Sequence, residues 1–371
     1  MIRIAFSLFL LLFFRFTVDD VLSFQISSLF GHVVEPFPWI TAFLLSILCG
    51  IINNAIAWTL RKLKLPAFIS AFIIGWAVAA LTSVGFVSWQ YQLTLFITWI
   101  AVVAFALLWK RQFRRSEGNA VSFTNNYLQS VVPLLFLILF IAMGNGVTDV
   151  QHYELRTAQA LSSNHPEKAY KVGEKAYETS PRLFAMRCYL LAKTQEHGLG
   201  QKMFEQVVPS GGARNLLLPY DERQKLLFPA DSLYSLLGTT PHTGETALHY
   251  LQRCAWLSAF RKGNQRTAAI DYYLCALLLE RKVADFAMEV NRYYPTDVAR
   301  NQLPAYFAQA LIMYQRTQPR TSVHYVDNNI EANHRDYVEM GDTIRHPVKR
   351  SNLLRRSYGE TYWWWYAYGA H

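Results

Sequence analysis

Charge is the scarce ingredient of this chain. Only 17% of the 371 residues are Asp, Glu, Lys or Arg, where a soluble domain carries roughly 25%. That scarcity excludes one ordinary soluble fold. Catalytic punctuation is also missing. The sequence holds no P-loop, no GxGxxG, no GxSxG elbow, no HExxH and no paired-Cys zinc pattern, so no cofactor is assigned. Four cysteines are too few for a disulfide scaffold. No low-complexity tract or disordered linker interrupts the chain. Dense basic runs of the nucleic-acid-binding type are absent despite a net charge of +10.

What charge there is lies unevenly. Residues 1–150 carry nine Lys/Arg and five Asp/Glu, and residues 151–371 carry 27 and 21. The first stretch reads as a transmembrane domain and the second as a water-facing one, long enough to bury its own core. Five apolar segments are predicted to span a bilayer: Ile4–Val18, Trp39–Leu60, Ala67–Val87, Leu93–Trp109 and Leu128–Val147. The first is short and contains Arg15, which sits near its end and can snorkel. No small-x-small site follows it, so it is expected to stay uncleaved.

The loops give a direction. Thr17–Pro38 holds Asp19, Asp20 and Glu35 and no Lys or Arg, whereas Arg61–Pro66 and Lys110–Asn126 are basic. Basic and non-basic loops alternate. Positive charge favours the cytoplasmic side, which puts the N-terminus inside and residues 151–371 outside, in the periplasm of a Gram-negative inner membrane. No Asp, Glu or Lys lies deep in a span, which disfavours an ion-driven transporter. Ala71, Gly75, Ala79 and Ser83 form a small-residue stripe suited to packing inside the bundle or to a dimer contact. Asn53 and Asn54 suit interhelical hydrogen bonds or a substrate path.

Beyond Tyr153 the pattern is helical, with expected helices Tyr153–Leu161, Leu183–Gln195, Glu245–Phe260, Gln265–Leu279, Val283–Tyr293 and Tyr306–Tyr314. A further one opens at Asn164-His165-Pro166-Glu167, and residues 205–243 break the periodicity. Ala169, Ala176 and Pro181 resemble the small, small, Pro spacing of tetratricopeptide repeats, with Tyr153 where the first helix carries its aromatic. The frame returns weakly at Val283, Val290 and Pro295. With the five apolar segments, the resemblance implies an all-α chain: a five-helix transmembrane bundle, then a degenerate α-solenoid. An irregular helical bundle is the alternative.

Three short stretches also resemble an uncharacterised family of bacterial membrane proteins. They are Pro36-Phe37-Pro38-Trp39, Leu303-Pro304-Ala305-Tyr306-Phe307-Ala308-Gln309-Ala310-Leu311 and Tyr358-Gly359-Glu360-Thr361-Tyr362-Trp363-Trp364-Trp365-Tyr366. The resemblance implies architecture and localisation and no activity.

Candidate chemistry is sparse. Asp19 and Asp20, just outside the first span, suit a base or a metal-holding carboxylate beside a lipid-linked phosphate, as in membrane glycosyltransferases. A solvated acidic loop is the alternative. His324, Asp327, Glu331 and His334 are zinc-ligand types within eleven residues, the last three on one helix face, or else a hydrogen-bonded surface helix. Cys254 and Cys275 pair in a disulfide or are buried thiols. At the C-terminus, Arg345, Lys349, Arg350, Arg355 and Arg356 precede Tyr358, Tyr362, Trp363, Trp364, Trp365, Tyr366 and Tyr368. That segment docks into the helical core, lies at a membrane interface, or binds a partner or glycan. The function expected is a membrane-anchored periplasmic scaffold with a bilayer and an envelope protein as partners. The alternative is a glycosyltransferase-like enzyme.

Overall fold

A computed structural model describes residues 2–30, 39–62, 69–83, 89–116, 135, 138, 141, 146–173, 178–194, 198–218, 230–240, 244–262, 267–320 and 323–369. Regular structure among them is entirely helical. The chain divides into two compact units, Met1–Leu155 and Arg156–His371.

In the first unit the helices are α1 (Ile2–Leu12), α2 (Asp19–Phe30), α3 (Trp39–Lys62), α4 (Ile69–Ser83) and α5 (Trp89–Ser116), with α6 (Asp149–Ser162) beginning at its end. A π-helical turn, Phe13–Thr17, joins α1 to α2. Helix α1 packs on α3, α3 on α4 and α4 on α5. Helix α3 is long and apolar enough to cross a membrane. Its side chains are arranged the reverse way from a water-soluble helix. Ala42, Ser46, Asn53 and Ala57 point inward, while Ile40, Phe43, Leu44, Ile51 and Trp58 point out. Small groups inside let helices approach closely, and large apolar groups outside suit a hydrocarbon solvent.

Several sequence expectations change here. The acidic segment expected as a loop is largely helical, with Asp19 and Asp20 in the first turn of α2, where negative charge meets the positive end of the helix dipole. Helix α5 starts at Trp89 and continues past Trp109 through the basic residues to Ser116. Of the small-residue stripe, Gly75, Ala79 and Ser83 are buried and Ala71 is half-buried. Asn53 is buried and Asn54 exposed, and Asn53 Oδ1 has no hydrogen-bond partner among the described residues. The fifth expected span, Leu128–Val147, lies outside the described residues except for 135, 138, 141, 146 and 147.

The second unit continues with α7 (Pro166–Lys171), α8 (Pro181–Thr194), α9 (Gly198–Lys202), α10 (Ala230–Leu237), α11 (Ala247–Lys262) and α12 (Ala268–Leu279). Then come α13 (Val283–Tyr293), α14 (Pro295–Arg300), α15 (Ala305–Thr317), α16 (Asn328–Asp342), α17 (Pro347–Tyr358) and α18 (Tyr362–Tyr368). Helix α12 is the axis of the core. Its sequence is apolar on all sides apart from Asp271, and every residue from Ala269 to Leu279 is buried. A helix without a polar face must be covered all round. Helices α8 to α11 and α13 supply that cover. Helix α13 shows the complementary pattern: Val283, Phe286, Ala287, Val290 and Tyr293 face in, and Asp285, Met288 and Arg292 face out.

The packing is not purely between sequence neighbours. Phe204 lies edge-on to Tyr306 at 5.1 Å and to Tyr362 at 5.2 Å, and meets Trp365 at 4.8 Å. An open stack of repeats keeps contacts between adjacent units. Here the last helix also closes onto residues far earlier in the chain. Of the repeat-like positions, Ala169, Val283 and Val290 are buried, Pro181 opens α8 and Pro295 opens α14. Ala176 lies outside the described residues.

Candidate functional site

A buried polar pair in the first unit joins residues 132 positions apart. Asp20 Oδ2 and Oδ1 lie 2.8 and 3.0 Å from His152 Nδ1. Asp20 Oδ1 also accepts from the Val21 amide at 2.9 Å. Only 1% of the Asp20 side chain is exposed, against 14% of His152. Each partner is held by its helix end. Asp20 sits in the first turn of α2. His152 follows a reciprocal cap in which the Thr148 amide donates to Gln151 Oε1 at 2.9 Å and the Gln151 amide to Thr148 Oγ1 at 3.3 Å. That Thr-x-x-Gln box fixes the start of α6 and thereby the imidazole.

An imidazole nitrogen facing a carboxylate donates to it, so Nδ1 carries a proton and Nε2 is the second ring nitrogen. The Asp20 side chain is sealed from solvent on the first turn of α2 rather than solvated in a loop. Asp19 takes a different role, pairing with Arg15 at 3.2 Å. The Arg15 guanidinium lies 5.3 Å from the Trp39 ring centre and 5.7 Å from that of Phe16, which ties the π-helical turn to the start of α3.

The four zinc-type residues go to separate tasks. His324 is exposed. Asp327 lies just before α16 and caps it, accepting from the amides of Asn329 and Ile330 at 3.0 and 3.1 Å. Glu331 faces Arg316 at 3.6 Å. His334 packs edge-on to Trp363 at 5.1 Å, and burial together with Arg316 lowers its pKa from the ordinary value. No group of three or more His, Cys, Asp or Glu that could hold a metal ion occurs among the described residues. All four cysteines are free, and Cys188, Cys254 and Cys275 are buried. Burial raises the pKa of the Cys188 and Cys275 thiols, so they stay protonated and unreactive.

The C-terminal motif separates into two parts. Its aromatics dock. Tyr362, Trp363 and Trp365 are buried, the Tyr362 amide donates to Gln309 Oε1 at 2.8 Å, and its hydroxyl donates to the Leu278 carbonyl of α12 at 3.1 Å. Arg281 covers the outer side of Trp365 at 5.2 Å and donates to the Gly369 carbonyl at 3.0 Å. Most of its basic residues stay at the surface.

Composition did not single out the outer face of α11. Trp256 and Phe260 are stacked at 6.0 Å, with 52% and 80% of each exposed. Their spacing of four puts both rings on one side of the helix. That spacing is readable in the sequence, but exposure is not.

The pair Asp20 and His152 lacked any sequence signal because nothing local links α2 to α6. No curated protein and no solved structure matches the chain. Residues 252–369, which contain α12, the Trp256–Phe260 pair and the docked C-terminus, match a family of unknown function, DUF6057, and so support the resemblance to an uncharacterised family over that stretch.

Proposed function

We propose that the protein is a membrane-anchored interaction protein of the bacterial cell envelope, whose second unit presents a helical surface to a protein partner outside the cytoplasm. The exposed Trp256–Phe260 pair carries this reading. Two stacked aromatics left in water on a rigid helix are the kind of anchor that dominates protein interfaces. The inverted arrangement of α3 supports the anchor, and the alternation of basic and non-basic loops supports five spans with residues 151–371 in the periplasm. The repeat-like positions that are buried in α7 and α13 fit a degenerate tetratricopeptide-like ancestry for the second unit.

The test is purification from native membranes in mild detergent. A stoichiometric protein partner is expected with the wild-type chain and lost from a Trp256→Ala/Phe260→Ala variant that melts normally. A partner retained by that variant contradicts the reading.

One observation favours a second reading, an envelope enzyme acting on a lipid-linked substrate. The buried Asp20 carboxylate holds His152 through Nδ1, and Nε2 is the ring nitrogen that would serve as the base. On this reading Asp20 is a positioning residue and His152 the reacting one. His152→Gln is then expected to disrupt the cell envelope at normal protein level, and a normal envelope in that variant counts against it.

A further inference from the structure

The split of the C-terminal motif leaves helix α17 with an uncommitted basic face. The residues that hold α17 to the core are Leu354 and Tyr358, both buried, with Ser351 half-buried. Opposite them, Lys349, Asn352 and Arg356 recur at spacings of three and four and are exposed, with exposed Arg345 just before the helix. Two other cations on this stretch are occupied. Arg350 Nε donates to the Ile344 carbonyl at 2.7 Å, and Arg355 lies 5.8 Å from the Trp364 ring centre. Arg345, Lys349 and Arg356 make no ion pair among the described residues. No acidic residue occurs from Arg345 to Ser357 to neutralise them. Two apolar side chains flank the stripe, Val348 at 63% exposure and Leu353 at 39%.

We infer that this face of α17 binds the phosphate-rich surface of an anionic lipid bilayer. A run of cations with no acid calls for a dense field of negative charge. Short aliphatic groups beside the cations fit the shallow headgroup boundary that interfacial helices occupy. The large, rigid rings that anchor protein interfaces are absent here. Of the aromatics that follow, Tyr362, Trp363 and Trp365 turn into the core, while Trp364 and Tyr368 are half-buried and Tyr366 is exposed. The α17 face is distinct from the Trp256–Phe260 surface and goes beyond the function proposed above.

The experiment uses the full chain in lipid nanodiscs, with an environment-sensitive fluorophore at Asn352→Cys. The native Cys188, Cys254 and Cys275 are buried and Cys49 lies within α3, so labelling is selective. Discs of neutral phosphatidylcholine are compared with discs containing phosphatidylglycerol. In the anionic discs the label is expected to shift to the blue and to be quenched by headgroup nitroxide lipid. Both signals weaken with added salt, because exposed charges are screened within about 10 Å at 0.1 M. Replacing Lys349 or Arg356 by Gln lowers the lipid-bound fraction constant about fivefold each, and Lys349→Glu/Arg356→Glu removes it without changing the melting temperature. A label equally open to a water-soluble quencher in both discs overturns the inference. So does a label already shielded in detergent by a bound protein, which would make the occupant an acidic protein surface. Neither result bears on Trp256 and Phe260.

Discussion

Removal of the Tyr362 ring is the sharpest test of how the second unit holds together. Tyr362 is fully buried between Phe204, Trp365 and the C-terminal end of α12. Cutting a buried aromatic back to Ala costs about 3–5 kcal/mol in transfer and cavity terms. The hydroxyl adds less. The Leu278 carbonyl that accepts from it also accepts from the Arg281 amide at 3.0 Å, so losing the phenol leaves no orphaned acceptor. Tyr362→Phe therefore costs only about 1 kcal/mol. For a unit of this size each kcal/mol moves the melting temperature by roughly 2–4 °C. Tyr362→Ala is expected to melt roughly 6–20 °C lower and Tyr362→Phe about 2–4 °C lower. Thermal unfolding of the purified full chain gives the shift. Hydrogen exchange of peptides from Ala268–Leu279 shows whether it arises at α12. If the Ala variant melts with the wild type, the C-terminus is not part of the core. If Phe costs as much as Ala, the ring packing argued here is not what stabilises the closure.

Four other outcomes are expected. His152→Ala removes the imidazole that Asp20 meets at 2.8 Å and destabilises the first unit by about 1.5–3 kcal/mol, whereas Asp20→Asn keeps a hydrogen-bonding group opposite the imidazole and costs less; hydrogen exchange at α2 separates them. The lowered pKa of His334 means the unfolded chain takes up its proton first as pH falls, so stability present above the ordinary histidine value of about 6.5 is lost below it; His334→Gln should flatten that part of a melting-temperature profile between pH 7 and 5. Gly212 has φ +60, and a Cβ there would strike the Glu280 carboxylate, whose Oε1 accepts from the Ala213 amide at 2.9 Å; Gly212→Ala is expected to lower stability by at least about 1 kcal/mol, read in denaturant melts. A phosphatase fused after His371 should be active and a cytoplasm-dependent fluorescent protein dark; the opposite result reverses the topology.

The sequence revealed helices where the periodicity was strong and the packing local. Val283–Tyr293 appears in the structure with the expected bounds, because apolar residues at i, i+3, i+4 and i+7 mark one face. Helix α2 was hidden, since its buried face mixes Asp20, Ser23 and Ser27 with Val21 and reads as a polar loop. The short α14 and the closure of the unit were also hidden. Closure depends on Phe204 meeting residues more than a hundred positions later, and no local pattern encodes such a pairing. The candidate residues fared according to the same rule. Asp327 could have been read as a helix cap from its place directly before an amphipathic run, and that is its task. The partner of Asp20 could not have been read, because His152 comes from 132 residues away.

The claim at the centre of this account is that the second unit meets a protein partner through the face of α11. The most direct measurement is photo-crosslinking in intact cells, with a photoreactive amino acid replacing Trp256 or, as a control, the exposed Met288 of α13. One discrete protein adduct is expected at Trp256, strongly reduced when Phe260 is changed to Ala in the same chain. Adducts confined to lipid, or none above the background of a remote exposed site such as Met288, would contradict it.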